Sequence, residues 1–168
     1  MNTIDKINKL SRIEFVEIFD NIFEKTKWIA EKLYSQKPFD SFEDLCSKML
    51  EIFETASKET QLNVFKAHPD LADKVTVNSL TINSLTEQSN AGLDQCSEEE
   101  FNEFKYLNQK YKQKFGFPLI IAVKGKNKIE ILSEFKKRIL NSAENEFNKA
   151  IIQVCKIANL RLNEINIK

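Results

Sequence analysis

The sequence is poor in the residues that interrupt helices and in those that bind metals. Its 168 residues include three glycines, three prolines, three cysteines and a single histidine. Glycine and proline mark turns and chain breaks, so their scarcity favours helices over short strands. A structural zinc site takes four ligands, mostly cysteine and histidine at short spacing. Cys46, Cys96 and Cys155 are far apart and there is no second histidine, so no metal site is predicted.

The sequence also lacks a surplus of either charge and any long apolar run. Lys plus Arg and Asp plus Glu each number 25, which argues against a partner that binds through many phosphates, whether nucleic acid or an anionic membrane surface. No apolar run reaches the roughly 20 residues of a spanning helix. The first residues do not resemble a signal peptide and the last three are not a peroxisomal address. We therefore expect a cytoplasmic protein with reduced thiols.

Apolar residues recur at helical spacing along most of the chain. Phe15, Phe19, Ile22 and Phe23 form one such stripe, and Ser11-x-x-Glu14 before it has the form of a capping box. The length lies within the range of one domain. We predict an all-α fold, a compact bundle of about eight helices in which residues 1–168 form a single domain.

Several element boundaries can be predicted from local patterns. Thr60 is expected to cap a short helix, and residues 73–83 to form a loop. Residues 115–125 are the most hydrophobic run in the chain. They have the composition of a strand, but with no partner strand in the sequence they are expected to be buried loop or helix. Residues 127–140 and 143–166 are predicted as the last two helices.

Residues 67–94 hold the only histidine, one proline and one glycine. Pro69 disfavours helical dihedrals at His68, so His68 should lie in a fixed turn at the C-terminal edge of a helix. Histidine is the side chain whose ordinary pKa lies near neutrality, which makes His68 the first candidate for acid–base chemistry. The alternative is a surface or capping histidine with no chemical role.

Glu87 and Arg161 each have both a structural and a functional interpretation, and Gln88 has a functional one. Ser84-x-x-Glu87 has the pattern of a capping box, which would give Glu87 a structural role at a helix start, where free N–H groups also bind anions. The Gln88 amide suits a planar, urea-like ligand. Arg161 is either a solvated helix arginine or a planar fork for a carboxylate.

Five sequence blocks between His68 and Leu162 together carry a signal that none of them carries alone. The blocks are His68-Pro69-Asp70-Leu71-Ala72, Ser84-x-x-Glu87-Gln88 with Ala91-Gly92-Leu93-Asp94, Asn108-x-x-Tyr111, Phe115-Gly116-Phe117-Pro118 with Ala122-Val123-Lys124-Gly125, and Lys156-Ile157-Ala158-Asn159-Leu160-Arg161-Leu162. Together, in this order, they resemble the OHCU decarboxylases, where OHCU is 2-oxo-4-hydroxy-4-carboxy-5-ureidoimidazoline. That family converts OHCU, the last unstable intermediate of urate oxidation, to (S)-allantoin.

The resemblance implies an all-α fold, no metal or organic cofactor, and a homodimer. It places the family's catalytic proton donor on His68 and its catalytic glutamate on Glu87. Substrate contacts on the segment 119–123 are expected through backbone amides. The implied substrate-binding residues are Pro69, Ser84, Leu85, Thr86, Gln88, Leu119, Ile120, Ile121, Ala122, Val123 and Arg161.

Two other functions remain open. The chain could be a non-catalytic helical module that holds a partner helix on its exposed apolar stripes. That function leaves the grouping of His68, Glu87 and Gln88 unexplained, and a pocket that closes around all three would favour an enzyme. The chain could also be a diverged decarboxylase that acts on another ureido or carboxy-imidazole substrate.

Overall fold

The computed structural model describes residues 3–74 and 77–165. Within these ranges the chain contains nine α-helices, one 3₁₀ turn at Val77–Ser79 and no strand, which confirms the all-α prediction. The helices are α1 (Thr3–Lys9), α2 (Arg12–Phe19), α3 (Lys27–Tyr34), α4 (Phe42–Glu54), α5 (Lys58–Lys66), α6 (Ile82–Asn90), α7 (Glu98–Phe115), α8 (Lys128–Arg138) and α9 (Ala143–Asn163).

The chain divides into two compact units. The first comprises the chain up to Ala67 together with the residues from Cys155 onward, and the second comprises His68–Val154. That residues 1–168 form one domain therefore stays a prediction.

The first unit has an aromatic core. The rings of Phe15 and Phe19 lie 4.5 Å apart between centroids, those of Phe23 and Phe53 5.3 Å, and those of Phe53 and Phe65 6.3 Å. All five side chains are fully buried. Aromatic pairs at such distances contribute about 0.5–1.5 kcal/mol each beyond the area they bury, so this cluster stabilises the unit without a disulfide.

The second unit has its core around Tyr111. The Tyr111 ring meets the Phe135 ring edge-on at 5.9 Å between centroids, and Phe135 in turn lies 6.4 Å from Phe104. Phe117 lies 5.9 Å from Tyr111 and opens the buried, irregular segment 117–123. The expectation of buried loop is confirmed for residues 117–123, whereas Gly116, Lys124 and Gly125 of the predicted run are exposed.

Some helix starts agree with the sequence patterns and one does not. The Ser11–Glu14 capping box is present, with Ser11 N–H donating to Glu14 Oε2 at 2.8 Å. The prediction that Thr60 caps a helix is wrong, because α5 begins earlier, at Lys58. Ser57 is its N-cap and accepts the Thr60 N–H at 3.2 Å. Two hydroxyl residues three positions apart each suit an N-cap, and the earlier one adds almost a turn of helix.

The predicted loop and the last helices need smaller corrections. The loop of residues 73–83 is shorter than expected, because α6 already begins at Ile82, and residues 75–76 of it lie outside the described ranges. The predicted helices 127–140 and 143–166 correspond to α8 and α9, and residue 166 is also outside the described residues. No described helix is long and apolar enough to cross a membrane.

Candidate active site

The only histidine lies directly after a helix end. Helix α5 ends at Lys66 and Ala67 is its C-cap, so His68 begins the following turn, as the proline beside it predicts. His68 and Pro69 are half-buried, and the Nε2 atom of the His68 ring is shielded from solvent. A half-buried imidazole on a fixed turn is suited to meeting a ligand from one side.

Gln88 of α6 fixes this turn through both ends of its side-chain amide. Its Nε2 atom donates to the Asp70 carbonyl oxygen at 3.1 Å, and its Oε1 atom accepts the Ala72 N–H at 3.1 Å. The Gln88 side chain is buried, so these bonds form away from bulk water. The structure thus brings the turn after His68 against the helix turn that carries Glu87 and Gln88.

Helix α7 holds the same turn at two further points. Asn108 Nδ2 donates to the Leu71 carbonyl oxygen at 2.9 Å, and Lys112 Nζ pairs with Asp70 Oδ2 at 2.6 Å. Directly after these anchored residues, Ala72 has a left-handed backbone with φ +51°, which costs a residue with a Cβ on the order of 1 kcal/mol. Several side-chain bonds thus offset local strain to hold one backbone shape.

The predicted capping box at Ser84 is wrong. Helix α6 starts three residues earlier, and its N-cap is Thr81, whose Oγ1 atom accepts the Ser84 N–H at 3.2 Å. Glu87 therefore lies in the middle of α6, where its side chain does not cap the N-terminus of the helix. The predicted stop at Gly92 is confirmed. Gly92 has φ +77° and donates to the Ser89 carbonyl oxygen at 3.0 Å, in the arrangement of a Schellman motif.

Helix α6 separates the predicted contact residues into two faces. Ser84 and Gln88 are buried and lie one helical turn apart, with the half-buried Glu87 beside them. Leu85 and Thr86 are exposed. The inner face of α6 therefore presents a hydroxyl, a carboxylate and an amide together, close to the His68 turn that Gln88 holds.

A cavity of about 460 Å³ borders Gln88 within the second unit. Ala72, Leu85, Leu93 and Phe101 are among its lining residues, while His68 and Glu87 are not among those assigned to it. This cavity is therefore not a pocket that closes around His68, Glu87 and Gln88. The Gln88 hydrogen bonds connect α6 to residues 70 and 72 of the turn that follows His68.

The predicted backbone contact segment, residues 119–123, is buried throughout. Two of its backbone groups already have side-chain partners. Arg138 Nη1 donates to the Ile120 carbonyl oxygen at 2.5 Å, and the Ala122 N–H donates to Gln153 Oε1 at 2.9 Å. The sequence patterns did not single out Arg138 or Gln153 as partners, since neither belongs to a recognisable motif.

Arg161 lies in the first unit and is not a solvated helix arginine. Its Nη1 atom is 3.0 Å from Glu24 Oε2 and 2.9 Å from the Asn21 carbonyl oxygen, and both charged side chains are buried. The guanidinium thus binds a carboxylate, as the functional interpretation required, but one that belongs to the chain itself. A contact with substrate stays a prediction.

The cysteines offer little nucleophilic chemistry. Burial raises the pKa of the Cys46 thiol to about 11 and that of Cys155 to about 12, and it also raises the pKa of Cys96. All three are free thiols. Because the thiolate is the reactive form, these thiols are largely unreactive at neutral pH. Among the described residues there is also no cluster of His, Cys, Asp or Glu placed to hold a metal ion.

The structure is an all-α protein whose predicted acid–base residues lie beside a clamped turn and on the helix that clamps it. A family model described as OHCU decarboxylase matches residues 8–163. The chain belongs to the OHCU decarboxylase family.

Curated relatives are similar over nearly the whole chain. The uric acid degradation bifunctional protein of Bacillus sp. (strain TB-90) is 41% identical over 98% of this chain, but this chain covers only 32% of it. The chain thus spans about a third of the bifunctional relatives' length. The 2-oxo-4-hydroxy-4-carboxy-5-ureidoimidazoline decarboxylase of Haloferax volcanii is 38% identical, over 96% of this chain and 95% of the relative.

Two solved structures share the fold. The crystal structure of (S)-allantoin synthase superimposes with a TM-score of 0.75 at 26% identity, over 96% of this chain and 53% of that one. The crystal structure of an OHCU decarboxylase in the presence of (S)-allantoin gives a TM-score of 0.68 at 25% identity, over 82% of this chain and 89% of that one.

Proposed function

We propose that this chain decarboxylates OHCU to (S)-allantoin, a step of urate degradation, without a cofactor. The observation that carries the proposal is the double hydrogen bond of Gln88, which holds the His68 turn against the helix that bears Glu87. Family membership supplies the reaction class. The structure of an OHCU decarboxylase determined with (S)-allantoin supports the product.

In the proposed mechanism the bond to the carboxylate breaks and its electron pair flows into the C=N bond of the imidazoline ring. Carbon dioxide leaves, and an enamine- or enol-like anion remains. Hydrogen-bond donors aimed at the ring oxygens stabilise that charge. His68 then delivers a proton to one face of the ring, which sets the S configuration. Glu87, close to the leaving carboxylate, disfavours the charged ground state.

The proposed substrate contacts follow the resemblance and the geometry together. Gln88 already bonds the turn, but its amide has one further N–H hydrogen and one further oxygen lone pair for a ureido group. Segment 119–123 contributes backbone amides to the substrate. Arg161 contributes a planar guanidinium, which would bind a substrate carboxylate. The remaining proposed contacts are Pro69, Ser84, Leu85 and Thr86.

We further propose that the protein acts in the cytoplasm as a homodimer, with OHCU as its small-molecule partner and without nucleic acid or membrane. These proposals follow the resemblance and the even balance of charge. Size-exclusion chromatography with light scattering tests the dimer, and a monomer at micromolar concentration would contradict it.

The activity is tested with OHCU generated freshly from urate, followed by circular dichroism of the allantoin formed. Wild-type protein should give (S)-allantoin, and His68→Ala should keep its far-ultraviolet spectrum but yield no enantiomeric excess. Its kcat/KM should fall about 10²- to 10⁴-fold, the usual contribution of a general acid. Lys66→Ala, an exposed change in α5, is the matched control and should behave as wild type.

The outcomes separate two claims. Wild-type protein that leaves the spontaneous decay of OHCU unchanged would refute the activity. Stereoselective turnover by His68→Ala at the wild-type rate would instead remove His68 from the mechanism. Turnover of a related ureido-imidazole in preference to OHCU would point to the diverged decarboxylase.

A further inference from the structure

Segment 117–123 poses a problem of backbone hydrogen bonding. Its residues are all buried, yet they lie in neither a helix nor a strand. Buried N–H and C=O groups need partners. A turn supplies one for the Val123 carbonyl oxygen, which accepts the Lys126 N–H at 3.0 Å. Side chains must therefore supply partners for the groups that no ligand or turn satisfies.

Two side chains provide such partners, and the backbone groups that they bind lie two residues apart in the segment. Arg138, the last residue of α8, donates from Nη1 to the Ile120 carbonyl oxygen, and Gln153 of α9 accepts the Ala122 N–H. The two clamps hold the Ile120 carbonyl oxygen and the Ala122 N–H, and neither clamp engages the N–H groups of Ile121 and Val123. In backbone that alternates as a strand does, groups two residues apart point the same way and those between them point the opposite way.

The arginine clamp is itself held by a buried network. Arg138 Nε contacts Glu146 Oε1 at 2.6 Å, the Tyr111 hydroxyl donates to the same oxygen at 2.6 Å, and Asn141 Nδ2 donates to Glu146 Oε2 at 2.9 Å. Burial, with the Glu146 carboxylate as acceptor, raises the Tyr111 pKa far above its ordinary value, so the hydroxyl remains a donor.

Burying the charges of this network has a large desolvation cost compared with the stability that the network contributes. Buried ion pairs are often no more stabilising than apolar residues of the same size. Within the described part of the chain, the buried Nη2 atom of Arg138 also makes no hydrogen bond. A charge kept buried with one donor unsatisfied is explained better by what it positions than by the energy it contributes.

We propose that Arg138 and Gln153 are positioning residues that orient segment 119–123, so that the Ile121 and Val123 N–H groups point at the charge developing on the substrate. The proposal rests on the proposed function, in which this segment binds the substrate. It also divides the segment: the Ala122 N–H and the Ile120 carbonyl serve the fold, and their neighbours serve the ligand.

Gln153 is the better position for a test, because it is half-buried and uncharged, whereas an Arg138 variant could fail to fold. Gln153→Leu removes the acceptor at similar size, and Gln153→Glu restores one. We expect Gln153→Leu to lower kcat about 10- to 100-fold with little change in KM, as for a misplaced donor. Gln153→Glu should stay within about threefold of wild type, because its carboxylate still accepts the Ala122 N–H. Ile152→Gln, on the exposed face of α9, is the control.

A second measurement does not depend on turnover. In ¹⁵N-labelled wild-type protein titrated with (S)-allantoin, the amide signals of Ile121 and Val123 should shift more than those of Ile120 and Ala122. Gln153→Leu should weaken these shifts. Larger shifts at Ile120 and Ala122 would overturn the proposed orientation.

The failures are distinguishable. An inactive wild-type protein refutes the proposed function. An active wild-type protein with an equally active Gln153→Leu variant refutes only the positioning role. A lower melting temperature in Gln153→Leu with unchanged kcat per folded molecule would show a structural role alone, and would also overturn the proposal.

Discussion

Gln88, which we propose as a substrate contact, also serves the fold. Each end of its amide bonds the backbone of the turn after His68, so the orientation of the amide is fixed by the chain itself. Each bond of this kind is worth about 1 kcal/mol, and more if its loss leaves a buried group unpaired. A ligand that meets Gln88 therefore meets an oriented donor and acceptor, with little entropy left to lose.

Glu87 can be separated from a structural role by a pair of variants. Because α6 is capped by Thr81, Glu87→Gln should change the free energy of unfolding by less than about 0.5 kcal/mol. Its kcat/KM should fall at least about tenfold, since the neutral amide no longer acts on the substrate carboxylate. Activity and urea denaturation, measured on the same preparations, test both expectations.

Thr81→Ala is the converse control. It should lose about 1 kcal/mol of stability through the lost cap while keeping kcat. A Glu87→Gln variant that melts much earlier but turns over normally would contradict the catalytic role of Glu87.

Arg161 can be tested as half of an ion pair. Arg161→Met leaves the buried Glu24 carboxylate without the arginine charge, which should lower the free energy of unfolding by about 3–5 kcal/mol. Adding Glu24→Leu should recover part of that loss, because the remaining buried charge is then gone. Chemical denaturation of the two single variants and the double variant measures the coupling. Independent, additive losses would show that the pair does not act as a unit.

At the scale of helices, sequence patterns predicted which segments are helical better than where they begin. Ser57 and Thr60, like Thr81 and Ser84, are hydroxyl residues three positions apart, and either member of each pair can cap a helix. Local pattern alone does not choose between them. In both cases the structure uses the earlier residue, which adds backbone hydrogen bonds to the helix.

The turn at His68 could be predicted from the sequence, whereas the side chains that hold it could be predicted only in part. Pro69 acts on its immediate neighbour, so the end of α5 follows from two adjacent residues. Asn108 and Lys112 lie four apart on one face of α7, a spacing that makes a shared target plausible, but nothing local identifies that target as residues 70–71. Glu24 and Gln153 carry no local signal, because their partners are distant in sequence.

For the molecule as a whole, carboxylates near helix starts make stability depend on pH. A hydrogen bond from Ser11 lowers the pKa of Glu14, one from Lys48 lowers that of Asp44, and one from Lys128 lowers that of Glu100. The unfolded chain therefore binds protons at a higher pH than the folded chain does. The stability these groups contribute is present above their unfolded pKa values, near 4, and is lost as pH falls through the lower folded values.

We therefore expect the melting temperature to be nearly constant from about pH 7 to 5 and to fall between about pH 5 and 3. Glu100→Gln should melt below wild type at pH 7, and the two should converge as the pH falls through the lowered folded pKa of Glu100, below which the wild-type carboxylate is also neutral. Thermal melts of both proteins across this range test the expectation. A difference that stays constant with pH would mean that the Glu100 charge contributes nothing.

The Arg161–Glu24 ion pair also limits which substitutions these two positions can accept during evolution. Glu24 sits in an irregular stretch between two helices, where exchange would ordinarily be tolerated. The Glu24 carboxylate pairs with the buried guanidinium of Arg161 in the last helix. A substitution that removes or reverses the charge at one of the two positions alone would leave the other charge buried without it. Selection that preserves Arg161 for a ligand would thereby preserve Glu24 as well, even though Glu24 need never meet that ligand.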